Sequence, residues 1–259
     1  MKRYYIFMFI ILILTLIIMN VVSSRFETID VFSDYNDFKV KDGTIIDCGN
    51  SSGNIVIPKT VNGVSITRID DYACDGLNID SVYIPNSILS IGNYAFANNN
   101  IENLKIPDSV LEIGEGAFIH NKISSLDFSS SLKLGNACFN DNQLDYEDAF
   151  FYNDNKLISY GGSVRGNVLL PDITIIGELA FFDTYIVSVD IPNSVLVVEE
   201  SAFKNNYLVE IYLSSNVKNV SKTAFSNNPY LTTIVVESDR INLVDYPWGA
   251  EYSNLYLLK

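Results

Sequence analysis

The stretch IGNYAFANNNIENLKIPDSV, Ile91 to Val110, decides the fold, because IGEGAFIHNKISSLDFSSSL follows at Ile113 with the same apolar spacing and little else in common. With the aromatic of the A-F pair as reference, the series runs Cys74, Phe96, Phe118, Phe139, Phe181, Phe203 and Phe225. Its steps are 22, 22, 21, 42, 22 and 22 residues, the 42 being two periods of 21. Five residues after most of these comes an aliphatic: Ile79, Ile101, Ile123, Leu144, Ile186 or Leu208. Eight after comes Val82, Leu104, Leu126, Val189 or Ile211, and ten after comes Ile84, Ile106, Phe128, Ile191 or Leu213. The final unit gains one residue at Pro229, after which Leu231, Ile234 and Val236 restore the spacing.

A unit this short cannot bury its own apolar face, so the units must stack. The alternation in LKI, LDF, VDI and IYL predicts a short strand with the retained residues inward. Strands of successive coils then pair in parallel, about 4.8 Å apart. Pro85, Pro107 and Pro192 follow directly and have no N–H to give a ladder, so the strand ends there. A second apolar pair comes next (Ile88 and Ile91; Val110 and Ile113), with a glycine column at Gly92, Gly114, Gly135 and Gly177. Such a column implies either positive φ or close approach between coils. The Asn- and Asp-rich corner after each A-F pair suits residues that tolerate left-handed conformations and bond to their own backbone. On this reading the retained positions fill the interior and the others face water, so exchanging Asn99 costs far less than truncating Phe118 or Phe203 unless its turn needs positive φ.

The run NNNIENLKIPDSVLEIGEGAF, residues 98–118, resembles the BspA-like class of leucine-rich repeat, whose pattern is L-x-x-I-x-I-P-x-S-V-x-x-I-G-x-x-A-F. The likeness covers about Val64 to Glu237. It implies a β-rich solenoid, a right-handed coil with a parallel sheet and repeats of about 22 residues. It also implies a secreted or surface-exposed protein, often bacterial, that acts in adhesion or protein binding without catalytic residues. The chain departs from the pattern at Cys74, which replaces the aromatic, and at Ser129 and Ser214, which replace proline. The unit between Phe139 and Phe181 is degraded.

That degraded stretch, EDAFFYNDNKLISYGGSVRGNVLLPDITIIG from Glu147, parallels VFSDYNDFKVKDGTIIDCGNSSGNIVIP from Val31. Each has an aliphatic pair (Leu157 and Ile158; Ile45 and Ile46), a glycine-bearing turn, and then NVLLP or NIVIP. A hairpin-like lead-in therefore occurs twice. The expected organisation is an N-terminal cap over 25–63, a solenoid over 64–237 with the degraded repeat and second lead-in at about 145–171, and a C-terminal cap over 238–259. No Pro-, Ser- or Gly-rich linker separates the two blocks, which favours one continuous coil over two domains. The only tryptophan, Trp248, lies in the tail YPWGAEYSNLYLLK. It reads as cover for the open end of the last coil, with a ligand contact as the alternative.

Residues 1–24, MKRYYIFMFIILILTLIIMNVVSS, carry Lys2 and Arg3, no acid and an apolar run ending in small residues. This is the form of a signal peptide, or of a signal anchor if uncleaved. Either one places Arg25 onward outside the cytoplasm, secreted or at the cell surface, with membrane contact only through residues 1–24 if they are retained. The formal charge is −14, and loss of two cations with those residues makes it −16. Such a surface repels phosphate backbones, so nucleic acid is excluded as a partner. A protein or glycan ligand outside the cell remains. Three cysteines, Cys48, Cys74 and Cys138, leave room for one bridge or none, and no C-x-x-C pair is present.

Catalytic and cofactor motifs are not in evidence. His120 is the only histidine, which excludes two-histidine metal sites, and its place at the corner reads as a solvated turn residue. The glycines of SYGGSVRG do not form a nucleotide loop. The acidic run Asp141, Asp145, Glu147, Asp148 and Asp154 lacks the order and glycine of an EF-hand and reads as a hydrated loop. No cofactor, metal or catalytic residue is assigned. The candidate binding face consists of side chains nine residues after the aromatic, pointing away from the interior: Tyr83, Lys105, Asp127, Asp190 and Tyr212.

Overall fold

Units that each leave one side uncovered resolve the problem by winding on one another. The computed structural model is a β-solenoid of about ten turns with parallel sheets and almost no helix. It describes residues 38–237, 241, 243 and 245–258. The signal or anchor segment 1–24, the start of the N-terminal cap and parts of 238–259 therefore lie outside the described residues.

Ten reference positions line one interior: Cys48, Cys74, Phe96, Phe118, Phe139, Tyr160, Phe181, Phe203, Phe225 and Trp248, all fully buried. Phe96 stacks on Phe118 with ring centroids 5.3 Å apart, and Phe203 on Phe225 at 5.6 Å. The backbone N–H of Phe96 donates to Ala117 at 2.8 Å and that of Phe203 to Ala224 at 2.8 Å, so a backbone rung joins the coils beside each stacked pair, and Phe225 N–H donates to Trp248 at 2.9 Å. Tyr160 fills the gap in the sequence series and packs on Phe181 at 5.1 Å. Trp248 occupies the last position of the column. It closes the interior, and the ligand-contact alternative fails because its indole is wholly buried. At the other end the aromatic is replaced by a disulfide between Cys48 and Cys74, with Cα atoms 5.1 Å apart. Cys138 is free and buried at the small-residue position before Phe139, where most coils carry alanine.

The second apolar pair builds the longest ladders. Arg68–Ile69, Ser90–Ile91, Glu112–Ile113 and Lys133–Leu134 form one parallel run, led by the antiparallel hairpin Lys39–Lys41 and Thr44–Asp47. A second hairpin, Phe150–Asn153 and Lys156–Tyr160, leads Ile175–Ile176, Val197–Val198 and Asn219–Val220. The registers match: Ile45 faces Ile69, and Leu157 faces Ile176. The glycine column next to these strands reflects close approach, not positive φ. A Cβ on Gly92, Gly114 or Gly135 would lie 2.5–2.6 Å from backbone atoms of the preceding coil.

The strands with the LKI-type pattern pair in shorter pieces than the single sheet expected from sequence. Gly53–Val56 pairs with Ile79–Tyr83, Asn103–Lys105 with Ser125–Asp127, and Asn167–Leu169 with Ser188–Asp190. Glu210–Leu213, Thr233–Val236 and Asn254–Leu257 form a three-stranded piece. The main break falls in the degraded repeat, where a 3-10 turn at Tyr146–Asp148 stands in place of a strand. Leu126 and Phe128, which lose a neighbour there, are only partly buried, and Phe128 leans on Phe139 and Phe151 at 6.4 and 6.3 Å. Hydrophobic packing nevertheless crosses the break through Phe139–Phe151 at 4.7 Å and Phe150–Tyr160 at 5.1 Å.

The polar corner holds the clearest departure from the sequence reading. Its second residue is left-handed, as expected, with φ of 53–62° at Asn98, His120, Asp141, Asp183, Asn205 and Asn227. Its third residue is not solvated. Asn99, Asn121, Asn142, Asn206 and Asn228 are buried. Asn121 Nδ2 donates to Phe118 at 3.1 Å and to Phe96 of the preceding coil at 2.9 Å, while its Oδ1 accepts from Ile101 N at 3.1 Å. Asn99 makes the equivalent bonds to Phe96, Cys74 and Ile79. A turn must satisfy carbonyls that point inward, and a buried amide does this while tying two coils together.

Candidate binding surface

The sequence-chosen residues fall into two groups, separated by the degraded repeat. Tyr83, Lys105 and Asp127 lie in the first block, and Asp190 and Tyr212 in the second; all five are exposed. Most are engaged with neighbours. Lys105 Nζ sits 2.9 Å from Asp127 Oδ2, Asp190 Oδ2 accepts from Asn167 at 2.8 Å, and the Tyr212 hydroxyl donates to Glu237. In the first block this face is a self-neutralising polar ladder.

The corner of the second block carries a different surface, which the sequence reading passed over. Four residues after the aromatic, the coils place Tyr185, Tyr207 and Tyr252. The insertion at Pro229 delays the intervening tyrosine by one, to Tyr230. Tyr185 and Tyr207 have ring centroids 5.8 Å apart, and Tyr207 and Tyr230 6.0 Å. Tyr207, Tyr230 and Tyr252 are 45, 60 and 78% exposed, so the row is apolar surface left open to solvent. Val187 and Val209, two residues further along their coils, are also exposed and widen it. A groove of about 610 Å³ runs beside Tyr185, Tyr207 and Tyr252, lined also by Asp183, Asn227 and Glu251, with Tyr230 outside it. The first block has no such row, since the same column there reads Asn78, Asn100, Lys122 and Gln143. Comparing that column between blocks would have exposed the difference.

At the head of the row the chain arranges its own charges. His120 is not a solvated turn residue: it is largely shielded, with Nδ1 2.7 Å from Asp141 Oδ2 and Nε2 3.2 Å from Asp183 Oδ2. Burial alone would disfavour protonation of this ring. The hydrogen bond and charge of Asp141, joined by Asp183, outweigh burial and raise its pKa above the usual 6.5. Asp141 is likewise not part of a hydrated loop, since its Oδ1 also receives Arg165 at 2.5 Å. Asp145, Glu147, Asp148 and Asp154 are exposed, as expected. Arg165 donates further to the Thr184 carbonyl at 2.6 Å and places its guanidinium 6.0 Å from the centre of the Tyr185 ring. Burial, then the charges of Asp183 and Asp141, push the Tyr185 phenol up to about 12, so this ring stays neutral. Among the described residues, no group of three or more His, Cys, Asp or Glu side chains is placed to hold a metal ion.

The profile of the BspA type leucine rich repeat region matches this chain in six copies, over residues 67–161 and 160–246. No curated protein sequence matches it. Among solved structures, it is similar to a leucine-rich repeat protein from Eubacterium ventriosum, with a TM-score of 0.50 and 13% identity over 85% of this chain and 74% of that one. It is also similar to the leucine rich repeat protein of T. pallidum, with a TM-score of 0.43 and 20% identity over 87% of this chain and 99% of that one. A leucine rich cell surface protein from Faecalibacterium prausnitzii gives a TM-score of 0.40 and 23% identity over 78% of this chain and 53% of that one. The chain thus spans about half the length of the F. prausnitzii protein. With its repeats matched from residue 67 to residue 246 and wound as parallel coils, the chain belongs to the BspA type leucine-rich-repeat family.

Proposed function

We propose that this solenoid is a non-catalytic binding module that works outside the cytoplasm, secreted or held at the cell surface through residues 1–24, and takes a protein or glycan ligand. The observation that carries the reading is the row of exposed tyrosines on the second block. Solvent-facing aromatics on a fixed ladder offer contact area at low entropic cost, and solenoids bind through such extended repeated surfaces. Tyr212, on the run that continues from Tyr207, extends the surface, with Asp190 beside it on the neighbouring strand. Tyr83, Lys105 and Asp127 form a flank in the first block. Export rests on the apolar N-terminal segment; no helix among the described residues is long and apolar enough to cross a membrane.

A second reading, a spacer with no dedicated ligand, is favoured only by the first block, where Lys105 and Asp127 already satisfy each other. The two readings separate in a binding screen. Immobilised glycans and extracellular proteins are probed with wild type and with a variant carrying Tyr207→Ala, Tyr230→Ala and Tyr252→Ala. The binding module requires at least one ligand retained by wild type and lost by the variant. Failure of wild type to retain any ligand would leave the spacer.

A further inference from the structure

The tyrosine row has a chemistry that narrows its ligand. Tyrosine rings carry negative potential on their faces, which attracts cations, and guanidinium groups most often. Among the described residues, those lining the groove include Asp183 and Glu251 and no lysine or arginine. The whole chain is strongly acidic at −14, which draws basic partners and repels anionic ones. The molecule also supplies an internal precedent. Arg165 lies over Tyr185 while bonded to the Asp141 carboxylate and to the Thr184 carbonyl. One coil on, Tyr207 presents the same ring position with no arginine or lysine among the groove residues around it.

We propose that the groove beside Tyr207 and Tyr252 binds an extended peptide segment carrying arginine or lysine, a cation lying over each of these two rings, with Glu251 pairing one of them. This inference rests on the reading of the row as a binding surface and names its ligand class.

Fluorescence anisotropy with the full chain tests it. The probe is a labelled Arg-Ser-Arg-Ser-Arg peptide, compared with the same peptide carrying citrulline, which keeps shape and hydrogen bonding but not charge. The arginine peptide should bind, and the citrulline peptide should bind at least about tenfold more weakly. Tyr207→Leu and Tyr252→Leu should each weaken binding about twofold to fivefold, the worth of one exposed cation–π contact. Tyr207→Phe keeps the ring and should retain binding, and Leu111→Ala, at an exposed position of the other block, should leave it unchanged. These tyrosines are exposed, and unchanged melting temperatures show that the variants remain folded. Equal binding of the citrulline peptide, or full binding by a Tyr207→Leu, Tyr252→Leu double variant, overturns the proposal. A neutral glycan captured through Tyr207 while the arginine peptide is ignored overturns the basic ligand and leaves the binding module standing. Retention of neither, and of no extracellular protein in the screen, overturns both.

Discussion

At the scale of single residues, the interior is held by two kinds of side chain that the sequence displays unequally. The phenylalanine column was legible because large apolar residues at a fixed period have one common explanation. The asparagine column was misread because a polar residue in a turn has two explanations, solvent or backbone, and spacing does not separate them. Asn121 sits among the carbonyls of Phe96 and Phe118 and receives the N–H of Ile101. Substituting alanine would strand that donor and those acceptors away from water, and a buried unsatisfied group costs about 1–3 kcal/mol. Asn121→Ala should therefore destabilise the protein by about 2–3 kcal/mol. That approaches the 3–5 kcal/mol or so expected for Phe118→Ala, where a void is left between coils. Urea titrations of the two variants provide the comparison, and an Asn121→Ala midpoint equal to wild type would return the corner to solvent. Tyr160 escaped notice for another reason: it keeps the aromatic position but lacks the A-F signature, so only the count of residues points to it.

At the scale of the element, the coil is set by how closely its short strands approach. The glycine column was seen in the sequence with two causes open, and the structure selects contact. At Gly114 a methyl group would meet Asn93 and Gly92 at 2.6–2.7 Å, and backbone cannot turn aside as a flexible side chain can. Gly114→Ala should cost about 1–3 kcal/mol, the range for overpacking a tight interior. Gly166 is the matched control, because nothing lies within 4 Å of its would-be Cβ. Gly166→Ala should stay within about 0.5 kcal/mol of wild type, as surface substitutions do. Thermal melts in which both alanines behave alike would contradict contact as the reason for the column. The main break among the strand pieces on the other face follows a rule that a single repeat does not reveal. A strand keeps its ladder only when the next coil supplies one, and the 3-10 turn at Tyr146–Asp148 withholds it.

At the scale of the molecule, the question is whether two blocks that each begin with a hairpin unfold as one. A solenoid's cooperativity depends on its nearest-neighbour interfaces, so the weakest interface decides. Sequence located that interface at the degraded repeat but could not show what crosses it, since the partners lie about 40 residues apart. Asn140 carries much of the crossing. Its Nδ2 donates to the carbonyls of Leu179 and Phe182, both at 2.9 Å, and its Oδ1 accepts from Tyr160 N at 2.9 Å and Ser159 Oγ at 2.7 Å. His120 adds an ion pair to Asp183 when protonated. Its folded pKa lies above the unfolded value, so its contribution is complete below about pH 6.5 and fades as pH rises through the folded value. Wild type should unfold in urea in one transition at pH 6. Asn140→Ala should split or broaden that transition, with a lower apparent m-value, because the two blocks then open separately. Raising the pH to about 8.5, beyond the usual histidine range, should widen the split, and His120→Gln should remove that pH effect. A single sharp transition with an unchanged m-value in Asn140→Ala at both pH values would mean that the aromatic contacts Phe139–Phe151 and Phe150–Tyr160 couple the blocks without help from the polar contacts.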